Sequence, residues 1–308
     1  MHPTPITPNR LPLTFDLSPF GAEYAWRPSW RFWERLYIRF FGFVDLPGRL
    51  RARLILPEVL AHRPRKILDY GFGTGCYSFY LSRDPGVDVS GVELNSTRIR
   101  ESDSILERLQ RKNLTLSPES QNVPLAHFLA GSFDLALAVE VLQYIPHIQE
   151  SLRGIYRVLR PGGYLLGHVP MLGYLRPKEM TLFSDEVILR LLEEAGFGNI
   201  RVTPTFHGMT QKICHIYEKI SHSKLFVTLL FPWLLLASRC LEIKDVQGDY
   251  RFFTAQKPKK TDERPEGLKE RGQSPLKERP SASRSASLEA EQKSRERRAW
   301  SREHETTK

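Results

Sequence analysis

The chain has 308 residues, of which 41% are hydrophobic, so it can bury the core of one α/β domain with appendages. Its three cysteines, Cys76, Cys214 and Cys240, lack the Cys-x-x-Cys and Cys/His spacings of metal ligands. We therefore expect no disulfide framework, no metal site, and a reducing, cytoplasmic compartment. Residues 1–13 have no basic stretch followed by an apolar core and do not predict a secretory signal.

The net charge of +10 is shared between the body of the chain and its C-terminal end. Residues 257–308 contain 15 Lys/Arg and 10 Asp/Glu, so half of the excess lies in about one sixth of the length. This segment has too few apolar residues to offset the entropy of ordering it, which predicts a disordered, charged tail. The alternative is an arm that binds nucleic acid or a membrane surface.

Strand-like runs alternate with helical periods between about Arg65 and Phe206, the pattern of a parallel sheet built from βαβ units. In chain order the predicted elements are a buried strand at "KILDYG", a helix at "CYSFYLSRD", a strand at "VDVSGVEL", a helix from Asn95 to about Lys112, a short strand at "LTLSPE", a strand at "SFDLALAVEVL", a helix at "HIQESLRGIYRVLR" stopped by "PGG", a strand at "YLLGHVP", a helix at "SDEVILRLLEEAGF", a strand at "NIRVTPTF" and a last strand from Asp249 to about Gln256.

The helix at "SDEVILRLLEEAGF" has the clearest amphipathic pattern. Ser184 is expected to cap its N-terminus and Gly196 to end it. One apolar face is formed by Val187, Ile188, Leu191, Leu192 and Ala195.

Two apolar segments do not fit the βαβ pattern. In "SWRFWERLYIRFFGFVD" a helix would place one face of apolar residues together, namely Trp33, Leu36, Tyr37, Phe40, Phe41 and Val44. This helix is expected to dock on the domain, to cover an apolar substrate, or to lie on a membrane. The second segment, "KLFVTLLFPWLLLASRCLEI", has an apolar core of about 14 residues broken by Pro232, below the roughly 20 needed to cross a bilayer. It predicts a buried helical hairpin or an element that dips into a membrane.

The stretch "KILDYGFGTGCYSFYLS" contains glycines at alternate positions, Gly71, Gly73 and Gly75, here called the glycine loop. It has no Lys as in a phosphate-binding GxxxxGK[ST] loop, and its third glycine comes one residue too early for the dinucleotide pattern GxGxxG. Asp69 precedes the loop, and Glu93 closes the next strand, where a carboxylate can accept hydrogen bonds from ribose hydroxyls. No cation lies near the loop, which favours a nucleoside cofactor without phosphates.

Four stretches in this order, "ILDYGFGTG", "VSGVEL", "SFDLALAVEVLQYI" and "IYRVLRPGGYLL", resemble the class I S-adenosylmethionine-dependent methyltransferases, in particular their small-molecule group. The resemblance covers about Arg65 to Phe206 and the strand that ends near Gln256. It implies an α/β, Rossmann-like, seven-stranded sheet, mostly parallel with an antiparallel last strand and helices on both faces. It also implies S-adenosylmethionine (SAM) as the cofactor.

The resemblance implies roles for the residues at the first two strands. Asp69 would orient the glycine loop and the amino-acid end of the cofactor. The three glycines would let the methionine part lie against the backbone. Glu93 would hold the ribose hydroxyls, and Leu94 would pack on the adenine.

Further roles follow from the resemblance at the third and fourth strands. Glu119 and Ser120 are the candidates for reading the adenine edge, although the family's usual Gly-Asp pair is absent. Glu140, Val141 and Tyr144 would close the methionine side. Tyr144 stands where relatives often have His, so the resemblance assigns no base at that position.

Methyl transfer requires mainly alignment of the nucleophile, the methyl group and the sulfur, and a base only where the nucleophile must lose a proton. Candidate catalytic residues are His168 and Tyr174 after the fifth strand and His207 after the sixth, at the edge of the sheet where ligands bind in open α/β folds. The sequence singles out none of the three.

Three functions are consistent with these patterns. The first is methylation of a small, lipophilic acceptor such as a quinone, an isoprenoid or a lipid precursor, with membrane contact through residues 30–44 and 224–243. The second is an RNA or protein methyltransferase that uses the basic tail, although the sequence has neither an Asn-Pro-Pro-Tyr-type motif for amino methylation nor the cysteine pair of RNA m5C enzymes. The third is a SAM-fold binding protein without activity.

The expected organisation has three parts. An N-terminal extension spans residues 1–64 and a methyltransferase domain spans 65–256, with an apolar helical insertion at about 209–245. The charged tail follows at 257–308.

Overall fold

The computed structural model describes residues 20–23, 32–41, 45–119, 124–170, 183–206, 208–220 and 250–259, and single positions between 223 and 236. Seven strands form one sheet in the order β3-β2-β1-β4-β5-β7-β6. The strands are β1 Lys66–Tyr70, β2 Asp88–Glu93, β3 Leu114–Pro118, β4 Phe133–Val139, β5 Leu159–Pro170, β6 Gly198–Thr205 and β7 Tyr250–Gln256. β1 to β5 pair in parallel, and β7 runs antiparallel between β5 and β6, which confirms the predicted fold class.

Seven helices accompany the sheet in the described part of the chain. They are α1 Phe32–Phe41, α2 Leu46–Ala61, α3 Cys76–Leu81, α4 Ser96–Leu109, α5 Ile148–Val158, α6 Asp185–Glu194 and α7 Gly208–Ile220. One hydrophobic cluster joins α5 and α6 to the sheet through side chains such as Leu152 and Ile188. A second cluster joins α2, α3 and α4 through Leu56, Phe79 and Ile105. Two separate clusters correspond to the two faces of a doubly wound sheet, as predicted.

The predicted caps of α6 are present. The Ser184 hydroxyl accepts a hydrogen bond from the backbone N–H of Val187 at 3.3 Å, and Gly196 has a φ of +98°. Ile188 and Leu192 are buried in the core, so the predicted apolar face is the one that packs. Here local sequence signals and tertiary packing agree.

β5 begins earlier than predicted, at Leu159, before the Pro-Gly-Gly turn that was expected to precede it. The pairing with β4 shifts, since Phe133 lies opposite Leu159 while Leu135 lies opposite Tyr164. The extra residues bulge out of the ladder, and Gly162 donates a hydrogen bond to the carbonyl of Lys257. The turn therefore sits inside the strand.

The N-terminal helices differ most from the sequence-based expectation. In α1, Ile38 is buried, whereas Phe40 from the predicted apolar face is 72% exposed. The predicted helix is present. The exposure of Phe40 shows that periodicity alone did not tell which of its residues the rest of the domain buries. Helix α2, whose Leu46, Leu50 and Ile55 are fully buried, was not predicted from the sequence.

Several predicted features lie outside the described residues. They are Val44 of the α1 segment, Ser120, Tyr174, His207, Cys240 and the tail from residue 260 onward.

Candidate cofactor site

All three residues of the glycine loop have left-handed backbone conformations, with φ of +72° at Gly71, +56° at Gly73 and +76° at Gly75. A Cβ atom added at Gly71 would lie 2.1 Å from Cγ2 of Val141, so the loop packs directly on the residue that follows the β4 corner. A Cβ at Gly73 would approach nothing closer than the Gly71 carbonyl oxygen at 3.9 Å. Gly71 is thus required by packing, while Gly73 borders open space that a ligand can fill.

Glu93, at the carboxyl end of β2, is bonded to the glycine loop. Its Oε2 accepts a hydrogen bond from the backbone N–H of Gly73 at 2.7 Å, and its Oε1 accepts from the N–H groups of Leu94 and Asn95 at 2.8 and 2.9 Å. A carboxylate offers about four acceptor positions. Two ribose hydroxyls would therefore share this carboxylate with these three backbone N–H groups.

Asp69 is buried at the carboxyl end of β1, and its side chain forms a hydrogen bond with a residue of α3 instead of with solvent. The Ser78 hydroxyl donates a hydrogen bond to Asp69 Oδ2 at 2.6 Å. Burial, together with the nearby Glu93 carboxylate, raises the pKa of Asp69 to about 6, against the effect of the Ser78 hydrogen bond. Asp69 therefore fixes the start of the helix that follows the glycine loop.

The predicted adenine side is formed by Leu94 and Glu119. Leu94 is 40% exposed, an unusual position for a leucine next to a polar loop. The backbone N–H of Glu119 donates to the Glu93 carbonyl at 2.9 Å, and Glu119 Oε1 accepts from the N–H of Leu125 at 3.2 Å. These contacts bring the ends of β2 and β3 together around one face of the loop.

The corner after β4 carries the predicted methionine-side residues. Glu140 adopts a φ of +55°, and its backbone N–H donates to the carbonyl of His168 at 2.9 Å. Val141 packs on Gly71, and Tyr144 is 57% exposed beyond it. The structure thus brings the corner and the glycine loop into contact.

Of the three candidate catalytic residues, only His168 lies in the described part of the chain. Its side chain has no exposed surface, and its Nδ1 lies 2.7 Å from Glu140 Oε1. Its Nε2 lies 3.0 Å from Thr205 Oγ1. Both ring nitrogens form hydrogen bonds within the protein, so His168 is not accessible to a substrate in this geometry.

Two polar side chains near the corner, Arg51 of α2 and Tyr77 of α3, were not predicted from the sequence. Arg51 forms an ion pair with Asp45 at 3.9 Å. Burial disfavours the charge of Arg51, but the carboxylates of Glu140 and Asp45 more than compensate, so its pKa lies above the ordinary value. Only the tertiary fold brings α2 to this edge, so no local signal marked Arg51.

The Tyr77 hydroxyl is buried and has no hydrogen-bond partner among the residues that the structure describes. Burial raises its pKa, the Arg51 guanidinium opposes the shift, and the Asp69 and Glu140 carboxylates add to it. A buried hydroxyl without a partner is costly. This one lies within electrostatic range of both carboxylates, where a bound ligand could supply the missing hydrogen bond.

These residues fit SAM. Open space borders Gly73, a carboxylate stands at the end of β2, and an exposed leucine follows it. Residues 71–81 contain no Lys or Arg, as expected for a cofactor without phosphates. Among the described residues, no group of three or more His, Cys, Asp or Glu is placed to hold a metal ion.

Comparison with known proteins agrees with this geometry. Residues 68–167, which run from β1 through most of β5, match the family model described as a methyltransferase domain. This stretch carries a methyltransferase domain. The match contains the glycine loop, Glu93 and the Glu140 corner.

The methyltransferase domain has curated relatives over part of their length. A malonyl-[acyl-carrier protein] O-methyltransferase of Pseudescherichia vulneris is 31% identical over 115 residues, 37% of this chain and 43% of that protein. A ubiquinone biosynthesis O-methyltransferase of Psychrobacter cryohalolentis is 29% identical over 136 residues, 42% of this chain and 49% of that protein. The chain spans about half the length of these relatives.

Among solved structures, phosphoethanolamine N-methyltransferase 2 of Haemonchus contortus, in complex with SAM, has the same fold as the methyltransferase domain. The TM-score is 0.53 at 19% identity, with 77% of this chain and 57% of that chain covered. The described helices include none with the length and apolar character needed to cross a membrane.

Proposed function

We propose that this protein transfers the methyl group of SAM to a small, lipophilic acceptor. The observation that carries the proposal is the pairing of Glu93 with the open glycine loop, inside a stretch that matches a methyltransferase domain. The relatives support methyl transfer to an oxygen atom, since both are named O-methyltransferases.

Individual residues would hold parts of the cofactor. Glu93 would bind the ribose hydroxyls, with Leu94 against the adenine and Glu119 at its edge. Gly73 would allow the backbone to approach the methionine part, because a side chain there would occupy the open space. Ser120, which lies outside the described residues, would share the role of Glu119.

The reaction needs alignment more than acid–base chemistry. When bound, SAM supplies a methyl group already activated by its sulfonium. Val141 and Tyr144 would wall the methionine side and exclude water from the reacting atoms. Holding the acceptor in line with the methyl group supplies most of the rate, so a base is needed only for an acceptor that must lose a proton. Tyr174 and His207 remain candidates for that base.

The lipophilic acceptor is supported by exposed apolar side chains outside the matched stretch. Phe40 of α1 is 72% exposed, and Trp233 is 70% exposed. Around Trp233 the other exposed side chains are also large and apolar, namely Leu225, Leu229, Leu230 and Leu236. One relative carries the name of ubiquinone biosynthesis, a pathway with a lipophilic product.

We propose further that these side chains contact a membrane surface. In α1 the exposed Phe32 and Phe40 flank the exposed Arg35 and Arg39, a combination that suits an anionic lipid surface. Residues 225–236 contain no charged side chain. Such a surface would deliver a lipophilic acceptor to the domain without a membrane-spanning helix.

Calorimetry with SAM and with its demethylated product tests the cofactor. Glu93→Ala is expected to weaken binding at least tenfold, about what the loss of two charge-assisted hydrogen bonds removes. Glu107→Ala, an exposed carboxylate on α4, is the matched control and should bind like the wild type. A wild-type protein that binds neither compound would overturn the proposed function.

The acceptor is tested by turnover on a panel of a quinol, an isoprenoid alcohol and an acid bound to acyl-carrier protein. Turnover restricted to the protein-bound acid would replace the lipophilic acceptor with a carrier-bound one. Methylation of RNA or of an unrelated protein, lost when residues 261–308 are removed, would instead favour the function based on the charged tail.

Membrane contact is tested by sedimentation with vesicles of phosphatidylcholine alone and with phosphatidylglycerol added. Binding is expected only to the anionic vesicles and should fall in Phe40→Ser and Trp233→Ser. Leu129→Ser removes an equally exposed side chain elsewhere and serves as the control. Equal binding by all three variants would remove the membrane proposal.

A further inference from the structure

A chain of three side chains crosses from β6 through β5 to the corner after β4. Thr205 Oγ1 lies 3.0 Å from His168 Nε2, and His168 Nδ1 lies 2.7 Å from Glu140 Oε1. Thr205 and His168 are buried, and the Glu140 side chain is only 16% exposed. The His168 ring also stacks on Tyr250 at 5.1 Å. We call Thr205, His168 and Glu140 the corner network.

Burial fixes where the protons of the corner network lie. It lowers the pKa of His168, although the hydrogen bond and charge of Glu140 oppose the shift. The ring is therefore neutral near pH 7, with one nitrogen donating and the other accepting. The carboxylate can only accept, so Nδ1–H donates to Glu140 and the Thr205 hydroxyl donates to Nε2. Every polar atom of the imidazole is satisfied within the fold.

The backbone at Glu140 needs this support. Its φ of +55° lies in the left-handed region, which costs a residue with a side chain about 1–2 kcal/mol. Two contacts to His168 offset the cost, one from the Glu140 carboxylate and one from the Glu140 backbone N–H at 2.9 Å. Gln143 adds a third by donating from Nε2 to Glu140 Oε2 at 3.2 Å.

The supported corner in turn forms the wall of the glycine loop. Val141 directly follows Glu140, and its side chain occupies the position that a Cβ of Gly71 would need. Any change in the Glu140 backbone must move Val141, and with it the surface on which Gly71 rests. The corner network is thus connected by covalent and packing contacts to the part of the loop nearest the methionine end of the site.

We propose that His168 and Thr205 are positioning residues that hold the Glu140–Val141 corner against the glycine loop and thereby set the affinity for the methionine end of SAM. His168 acts through Glu140 and does not exchange protons with the acceptor. The proposal rests on the proposed function for its ligand, but its structural half concerns only residues of this chain.

Two measurements on the full-length protein test the proposal. The first is hydrogen–deuterium exchange of the cofactor-free protein, which follows the backbone amides of residues 71–76 and 140–145. The second is the dissociation constant for SAM by calorimetry. Thr205→Val removes the hydroxyl at nearly constant volume, and Thr205→Ser restores it. Thr254→Val is the matched control, because Thr254 is also buried and lies on β7 outside the corner network.

Thr205→Val is expected to speed exchange in both segments and to weaken SAM binding about threefold to fivefold, as expected for one lost buried hydrogen bond. His168→Phe should weaken SAM binding about tenfold or more, because it also removes the hydrogen bond from His168 Nδ1 to the Glu140 carboxylate. Thr205→Ser should stay within about twofold of the wild type. Thr254→Val should leave exchange in both segments and SAM binding unchanged even where it lowers the melting temperature.

Unchanged exchange and affinity in Thr205→Val would overturn the proposal, as would equal losses in Thr205→Val and Thr254→Val. A wild-type protein that does not bind SAM overturns the proposed function instead. In that case the exchange data still decide whether the corner network holds the glycine loop.

Discussion

The polar side chains of the cofactor side differ in their surroundings from the exposed apolar side chains of α1 and of the positions described between 225 and 236. On the cofactor side, Asp69, Glu93 and Glu140 each have a hydrogen-bond partner at 2.6–2.7 Å. In the second group, Phe40 and Trp233 are about 70% exposed to solvent. The first region is organised before any ligand arrives, whereas the second gains free energy only by covering its apolar area.

The largest expected effect is on the packing of the glycine loop. Gly71→Ala should lower the free energy of unfolding by about 2–4 kcal/mol, because the new methyl overlaps Val141 and the backbone is left-handed. Gly73→Ala has only the backbone cost of about 1 kcal/mol. Urea unfolding measures both.

The Gly71 effect has an internal control. Combining Gly71→Ala with Val141→Ala should recover part of the lost stability, giving a favourable coupling energy. Equal costs for Gly71→Ala and Gly73→Ala would show that the loop does not rest on Val141.

A smaller effect concerns pH. The folded pKa of Asp69, about 6, exceeds its ordinary value, so the folded protein binds this proton more tightly than the unfolded chain does. Stability from this group therefore falls as pH rises from about 4 to 6 and stays low above that range. The loss is about 2–3 kcal/mol at 1.36 kcal/mol per pKa unit.

Asp69→Asn should remove this dependence on pH. In urea unfolding, the free energy of unfolding of the variant should therefore rise relative to that of the wild type between pH 4 and 7. Asp88→Asn, an exposed carboxylate on β2, should not. A constant difference between Asp69→Asn and the wild type across this range would contradict the buried, charged state of Asp69 at neutral pH.

Tyr77→Phe is expected to raise or preserve stability, by up to about 1 kcal/mol, because it removes a buried hydroxyl without a partner among the described residues. The same change should weaken SAM binding if a ligand satisfies that hydroxyl. Thermal unfolding and calorimetry on one sample separate the two effects. Lost stability with unchanged binding would mean that Tyr77 serves the fold instead of the site.

The smallest stability effects belong to the exposed surface. Phe40→Ser and Trp233→Ser should each change the free energy of unfolding by less than about 0.5 kcal/mol, since little area is lost from the core. Chemical unfolding in the absence of lipid provides the measurement. A loss above about 1 kcal/mol would show that these side chains support the fold, and would remove the contrast with the cofactor side.

Local signals predicted much of the fold because they act within a few residues. The Ser184 cap, the Gly196 stop and the Asp69–glycine loop–Glu93 spacing each depend on backbone geometry close in the chain. The exposed face of α1 could not be predicted from such local signals. Ile38 and Phe40 differ in burial because the second hydrophobic cluster takes up Ile38, and periodicity does not tell which neighbour an amphipathic helix will meet.

The sequence by itself determined the succession of strands and helices along the chain, the glycine loop and the carboxylate at the end of the next strand, since these follow from short-range steric and hydrogen-bonding rules. Only the tertiary structure decided how His168 is used. Its partners lie 28 and 37 residues away, one at the corner after β4, which pairs with β5, and one at the end of β6, on the far side of β7. Burial by those elements removes His168 from solvent and keeps its ring neutral, and no local pattern encodes that environment.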